Sequence, residues 1–242
     1  TVALLLAAGN AFSLDNPAEW NTAWTKYQTV YIQETAGFDR SHEPVEAEVK
    51  FFQPMPAKDV KGVAAAVKKV VRVVHKTGAG VWEEIPCQVY DVRPYDWNSR
   101  AEKPEISIRA RVAFFADVPA RMTGVYYICY GNSNPPEPNY TSGLKVEGAG
   151  VAWTIENPFF RMATDKASGQ INTIDLKFAG NPSFRFVHGN MHWNPDFMYV
   201  PEDFPTTWFK WYYAHDFKNP PREVESGPVF FSMRRSQLIP GQ

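Results

Sequence analysis

Val45 to Phe52 reads VEAEVKFF, and within it Glu46-Ala47-Glu48-Val49-Lys50-Phe51 alternates polar and apolar side chains at every step. A period of two is that of a strand with one wet and one buried face. The same β-branched and aromatic character recurs on both sides of this run. It is carried by YQTVYIQE (27–34), KKVVRVVHK (68–76), VWEEIPCQVYDV (81–92), EISIRARVAFFADV (105–118) and MTGVYYICYG (122–131). Turn chemistry separates the runs at Gly37-Phe38-Asp39-Arg40, Thr77-Gly78-Ala79-Gly80 and Pro119-Ala120-Arg121. Only 56–69 (PAKDVKGVAAAVKK) has room for a short helix, and Gly62 weakens it. The pattern predicts an all-β unit over 24–131, an N-terminal β-sandwich or barrel.

A proline-rich connector, 132–148, follows, with Asn132-Ser133-Asn134-Pro135-Pro136-Glu137-Pro138-Asn139 as its stiffest part. Strand-like runs then resume with GVAWTIEN (150–157), PFFRMATD (158–165) and QINTIDLKF (170–178), turning at Lys166-Ala167-Ser168-Gly169, and GPVFFSMRR (227–235) reads as a last strand. A sheet opened by three strands and then stopped leaves edges to cover. Region 149–242 is therefore expected to be the start of a second β domain, in a chain that is a fragment of a longer protein.

With 242 residues there is enough chain for one large or two ordinary domains. A formal net charge of −1 with no basic face argues against nucleic acid as a partner. Val2 to Ala8 (VALLLAA), then Gly9-Asn10-Ala11-Phe12-Ser13, resembles the apolar part of a secretory signal peptide with small residues for cleavage. We therefore read 1–13 as a signal-peptide remnant and the protein as secreted, periplasmic or at the cell surface. A buried first strand or helix is the alternative. The run is too short to span a bilayer, so no membrane span is expected in the mature chain. Cys87 and Cys129 both read as core positions; two buried free thiols are favoured over a bridge between neighbouring strands.

The chemistry gathers in 191–217, MHWNPDFMYVPEDFPTTWFKWYYAHDF, where ten of the twenty-five residues from Trp193 to Phe217 are aromatic. Neither strand nor helix periodicity governs it, and Pro195, Pro201 and Pro205 interrupt it. Flat rings stack on sugar faces, and carboxylates and amides bind hydroxyls, so the loop is a candidate carbohydrate site. A hydrophobic lid over a sheet is the competing reading, and the two are compatible. Substrate-binding candidates are Trp193, Asn194, Trp208 and Trp211, with Arg185 and His188 just upstream. Removing the C5 proton of a uronate in β-elimination needs a base, for which His192, Tyr212 and His215 have the right chemistry. Hydrolysis needs two carboxylates, for which Asp196, Glu202, Asp203 and Asp216 are available. Solvated loop carboxylates and structural histidines are the plainer reading of each, and His75 and His42 read as rim and turn residues. No phosphate loop, GxSxG elbow or HExxH is present. A divalent cation such as calcium is allowed as a cofactor, though no motif supports it.

Two resemblances add to this. Ile155-Glu156-Asn157-Pro158-Phe159-Phe160-Arg161 through Asp165-Lys166-Ala167-Ser168-Gly169-Gln170-Ile171 resembles the opening hairpin of the galactose-mutarotase-like supersandwich, which occurs in many polysaccharide lyases and in C-terminal regions of glycosidases. Thr35 to Arg40, Glu43-Pro44-Val45, Ile85 to Val89, Phe114 to Pro119 and Tyr126 to Asn132 look like the N-terminal β domain of exo-rhamnogalacturonan-lyase-like secreted bacterial proteins. The likeness implies an all-β protein ending in the opening strands of a β-supersandwich. It also implies a carbohydrate-active role: part of a polysaccharide lyase, or a related glycosidase, acting on a uronate-containing polysaccharide or oligosaccharide. That family's catalytic residues find no assigned positions here, and the likeness places much of the catalytic region beyond Gln242. A non-catalytic glycan-binding or surface-assembly module is the alternative function, and neither the polysaccharide nor the oligomeric state follows from the sequence.

Overall fold

A computed structural model describes residues 2–5, 15–51, 60–96, 106–185, 197–199, 210–212 and 218–236. The chain divides into two compact units, Thr1–Thr141 with Gly227–Val229, and Ser142–Ser226 with Phe230–Gln242. Most of the described residues are in strands, antiparallel throughout, and no sheet closes into a barrel among them.

The first unit contains β1 (Val2–Leu5), β2 (Lys26–Glu34), β3 (Arg40–Phe51), α1 (Val60–Val70), β4 (Arg72–Lys76), β5 (Trp82–Ile85), β6 (Cys87–Asp96), β7 (Ile106–Val118) and β8 (Thr123–Tyr130). One sheet runs in the order β1-β2-β8-β4-β5 and the other β3-β7-β6. The alternation that opens the sequence reading is the register of β3: Val45, Ala47, Val49 and Phe51 are buried, while Glu46, Glu48 and Lys50 are exposed. Facing side chains Ile108, Ala110, Val112, Phe114, Ala116 and Val118 of β7 belong to the same core, together with Val30 and Ile32 of β2. Between the sheets this is one apolar layer, the arrangement of a β-sandwich. The sandwich, rather than a barrel, is what the long strands build.

β8 explains why YYICY lacks polar residues. It is the central strand of its sheet, pairing β2 on one side and β4 on the other. Tyr126, Ile128 and Tyr130 enter the main core, while Tyr127 and Cys129 pack into a second cluster with Trp24 and Val74. A strand covered on both faces has no wet positions to mark.

The run 81–92 is two strands. β5 pairs β4 in the first sheet and β6 pairs β7 in the second, with Pro86 at the break. Helix α1 rests on three consecutive alanines, Ala64 to Ala66, turns Val67 and Val70 into the core and packs on β6. Val2–Leu5, read from sequence as an export segment, pairs antiparallel with β2 from Val2↔Glu34 to Leu5↔Tyr31. No described helix is long and apolar enough to cross a membrane.

Cys87 and Cys129 are both buried and free. They sit in different sheets, β6 and β8, and in different apolar clusters. Cys87 faces the main core and Cys129 the second cluster, so the two side chains are not directed at one another as a bridge would require. Burial pushes the Cys87 thiol up to about 11 and the Cys129 thiol up to about 12.

The second unit contains β9 (Lys145–Ala149), β10 (Ala152–Glu156), β11 (Phe160–Thr164), β12 (Ile171–Leu176), β13 (Ser183–Arg185), β14 (Phe197–Tyr199), β15 (Lys210–Tyr212), β16 (Arg222–Ser226) and β17 (Phe231–Arg235). β9 begins within the segment read as connector. β9 to β13 form a five-stranded meander in sequence order, and β14-β15 and β16-β17 are two-stranded ribbons. The turn between β11 and β12 is built by Asp165, whose Oδ1 accepts the Ala167 and Ser168 N–H groups at 3.0 and 2.7 Å. Gly169 completes it at φ +75°, a backbone region open to glycine. Trp153 of β10 packs on Phe231 of β17, ring centroids 5.0 Å apart, and Arg235 donates to the Ser168 carbonyl.

Candidate functional site

The motif residues that carry the supersandwich resemblance have structural work. Asn157 Oδ1 accepts the Phe159 and Phe160 N–H groups at 2.9 Å, closing the β10-β11 turn. Glu156 accepts from Lys177 Nζ at 2.7 Å, which holds its carboxyl below the usual carboxylate range. The Asp165 carboxyl is likewise lowered, first by the Ser168 N–H. Side chains committed this way build turns and leave little for chemistry.

Of the site residues expected from sequence, Arg185 ends β13 opposite Thr173 and is exposed. Trp211 and Tyr212 lie in β15, paired with Met198 and Phe197 of β14. His188, His192, Trp193, Asn194, Asp196, Trp208 and His215, with Glu202, Asp203 and Asp216, lie outside the described residues. His75 stacks on Tyr126 and reaches Glu83 at 3.3 Å, and His42 occupies a left-handed backbone position, φ 54°, at an irregularity of β3. Both are structural.

A different site emerges in the first unit. Residues 15–25 cross the outer face of the β1-β2-β8-β4-β5 sheet and bring Trp24 onto the cluster of Val74, Tyr127 and Cys129. Asn16 caps the one-turn 3-10 helix Pro17–Glu19 by accepting from Ala18 N–H, and Lys76 pairs with Asp15 at 2.9 Å. Trp24 is anchored by its indole N–H, which donates to Val70 O at 2.7 Å. Trp20 packs at a tilt against Trp24, 5.0 Å between ring centroids, and stays partly exposed.

The connector closes the other wall. Arg72, almost fully buried, donates to the carbonyls of Lys69 (2.7 Å), Val71 (2.8 Å) and Pro136 (2.7 Å). Its Nε lies 3.1 Å from Glu84 Oε1, and its guanidinium sits over the Trp24 ring. Tyr140 O–H donates to the same Glu84 oxygen at 2.8 Å and contacts Cys87 Sγ at 3.7 Å. Burial, reinforced by the neighbouring Cys87 and Glu84, pushes the Tyr140 hydroxyl far above the ordinary phenol range. It remains an O–H donor and has no capacity as a base at neutral pH.

What results is an open cleft of about 650 Å³, within the usual size range of ligand sites. Trp20 and Trp24 form its aromatic wall, Glu84 and Glu137 supply carboxylates, and Asn21, Asn132, Asn134 and Asn139 surround them. The Oδ1 atoms of Asn21 and Asn132 are taken by the Ala23 and Asn134 N–H groups at 3.0 and 2.9 Å. Their side-chain NH2 groups are thereby set as donors. The sequence reading passes over this site: the Trp20/Trp24 pair and the arginine inside KKVVRVVHK are its signals, but contacts between residue 72 and residue 136 are not local. Among the described residues no group of three His, Cys, Asp or Glu is placed to hold a metal ion.

The first unit is thus a β-sandwich bearing an aromatic, amide-lined cleft. Comparison with known proteins gives no match to a family profile, a curated protein or a solved structure.

Proposed function

We propose that this chain belongs to an exported carbohydrate-active protein and that the cleft of its first unit binds a glycan. The carrying observation is the combination at one opening of a partly exposed tryptophan, oriented amide donors and carboxylate acceptors. A sugar ring has an apolar face that stacks on an aromatic plane and hydroxyls that both donate and accept. This cleft offers a partner for each. The mechanism is binding: Trp24 is fixed by its bond to Val70 O, Trp20 is packed against it, and Arg72 tethers the Pro136 wall, so the surface is formed before ligand arrives.

The alternative function from sequence, a non-catalytic glycan-binding module, is favoured for the first unit. Tyr140 is held protonated and Arg72 is committed to Glu84 and three carbonyls, so neither serves as a base, and Glu84 Oε1 is itself taken by Arg72 and Tyr140. Turnover by a lyase or glycosidase would rest on the sequence candidates His192, Asp196, Tyr212 and His215.

Affinity electrophoresis of the intact chain through gels containing neutral or pectic polysaccharides tests the reading. Retardation that Trp20→Ala abolishes supports it. Equal mobility in every gel refutes it. Ultraviolet absorbance of unsaturated product in the same incubations separates a lyase from a binder.

A further inference from the structure

The sequence resemblance implies an acidic, uronate-containing substrate, and the cleft's charges point elsewhere. Among the described residues, Arg72 is the only cation lining it. A guanidinium has five N–H donors, and the Arg72 contacts engage Nε with Glu84, Nη1 with two carbonyls and Nη2 with Pro136 O. It is about 2 % exposed and its charge is compensated by Glu84. The ionisable groups that face a ligand are then Glu84, whose Oε1 is occupied by Arg72 and Tyr140, and the exposed Glu137, which pairs at the surface with Lys69. A uronate carboxylate placed here would be desolvated beside two carboxylates, with no uncommitted cation in the lining among the described residues to meet it. A hydroxyl would donate to either glutamate and accept from Asn21 or Asn132 Nδ2.

Resting on the reading of the cleft as a glycan site, we infer that it selects an uncharged sugar unit and rejects a uronate. Discrimination comes from the like charge of Glu84 and Glu137, and affinity from stacking on Trp20 with amide and carboxylate hydrogen bonds to ring hydroxyls. In a polymer of mixed composition the cleft would then hold neutral residues or side chains.

Isothermal titration of the intact protein tests this with a matched set: an oligogalacturonide, the same oligomer fully methyl-esterified, and neutral hexose, 6-deoxyhexose and pentose oligosaccharides. At least one uncharged ligand should bind tenfold or more tightly than the free acid, with Trp20→Ala removing the difference. Glu137→Lys, at a side chain about 75 % exposed and so of little consequence for folding, should raise the affinity for the free acid relative to that for the neutral ligands and so narrow or reverse the preference. Lowering the salt should weaken binding of the free acid to the native protein. Trp20-dependent binding of the free acid at equal or higher affinity overturns the inference while keeping the glycan site. Absence of Trp20-dependent binding by any of the oligosaccharides overturns both.

Discussion

Arg72 and Glu84 meet at 3.1 Å between Nε and Oε1, joining β4 to β5 on the face that residues 15–25 cover. The pair matters less for its Coulomb energy than for what it organises. The same guanidinium bonds Pro136 O and the same carboxylate oxygen receives Tyr140 O–H, so both ends of the 136–140 segment close on one ion pair.

Removing the arginine should therefore cost more than neutralising its partner. Arg72→Leu orphans three carbonyls and leaves Glu84 without its cation, for about 3 kcal/mol or more. Glu84→Gln keeps an acceptor oxygen in place and should cost about 1 kcal/mol. Urea unfolding midpoints of the two variants decide it, and an equal or reversed order would contradict the arrangement.

Glu34 predicts an acid sensitivity of the fold. Its buried carboxylate accepts the N–H groups of Arg121 (3.1 Å), Gly37 (2.7 Å) and Ala36 (2.9 Å) and faces Arg40 at 3.4 Å. Led by the Arg121 N–H, these contacts lower its pKa from 4.5 to about 2. A depressed folded-state value means that the unfolded chain binds the proton first. The stabilisation is fully present above about 4.5 and is lost as pH falls toward 2. Melting temperatures of the native protein and Glu34→Gln should differ most near neutral pH and converge below pH 4.5. A constant gap would argue against it.

Both thiols should resist modification in the folded state and react once unfolded. With thiol pKa values of about 11 and 12 and buried sulfurs, little thiolate exists at neutral pH. Alkylation followed by mass measurement should add nothing natively and two groups in denaturant without reductant. A mass showing no addition in denaturant would reveal a bridge and contradict the placement of the two thiols in separate clusters.

In the second unit, Gly169 and Gly180 allow a controlled comparison. Both have positive φ, +75° and +88°, but a Cβ at Gly169 would meet Val151 Cβ at 2.9 Å while one at Gly180 meets nothing within 4 Å. Gly180→Ala should cost only the backbone strain of about 1 kcal/mol, and Gly169→Ala clearly more. Thermal melts that rank them equally would show that the β9-β10 turn, which carries Val151, does not pack against Gly169.

How far the sequence can be read follows from the range of each contact. β3 and β7 declare themselves because one face is wet and the other dry. β8 is recognisable as a strand, but only its two partners explain why both faces are apolar. That β5 and β6 part at Pro86 into different sheets depends on pairings with β4 and β7, which no local pattern encodes. Arg72 within VVRVV reads as an ordinary outward charge, since the carbonyl of Pro136 and the Trp24 ring that receive it come from distant segments. The polar motif at Glu156, Asn157 and Asp165 is visible in sequence and proves to be turn architecture, so it speaks to local structure and not to chemistry.

The central claim, that a glycan occupies the cleft of the first unit, rests on Trp20. The most direct measurement follows the indole N–H resonances of the eight tryptophans during glycan titration, with Trp20 and Trp24 assigned through Trp20→Phe and Trp24→Phe. Trp20 should shift most and saturably, with Trp24 following weakly because its N–H is held by Val70 O and Arg72 covers its ring. Saturable binding that leaves the Trp20 signal unmoved and perturbs only tryptophans of 193–211 would place the ligand in the aromatic loop and contradict the cleft as the glycan site.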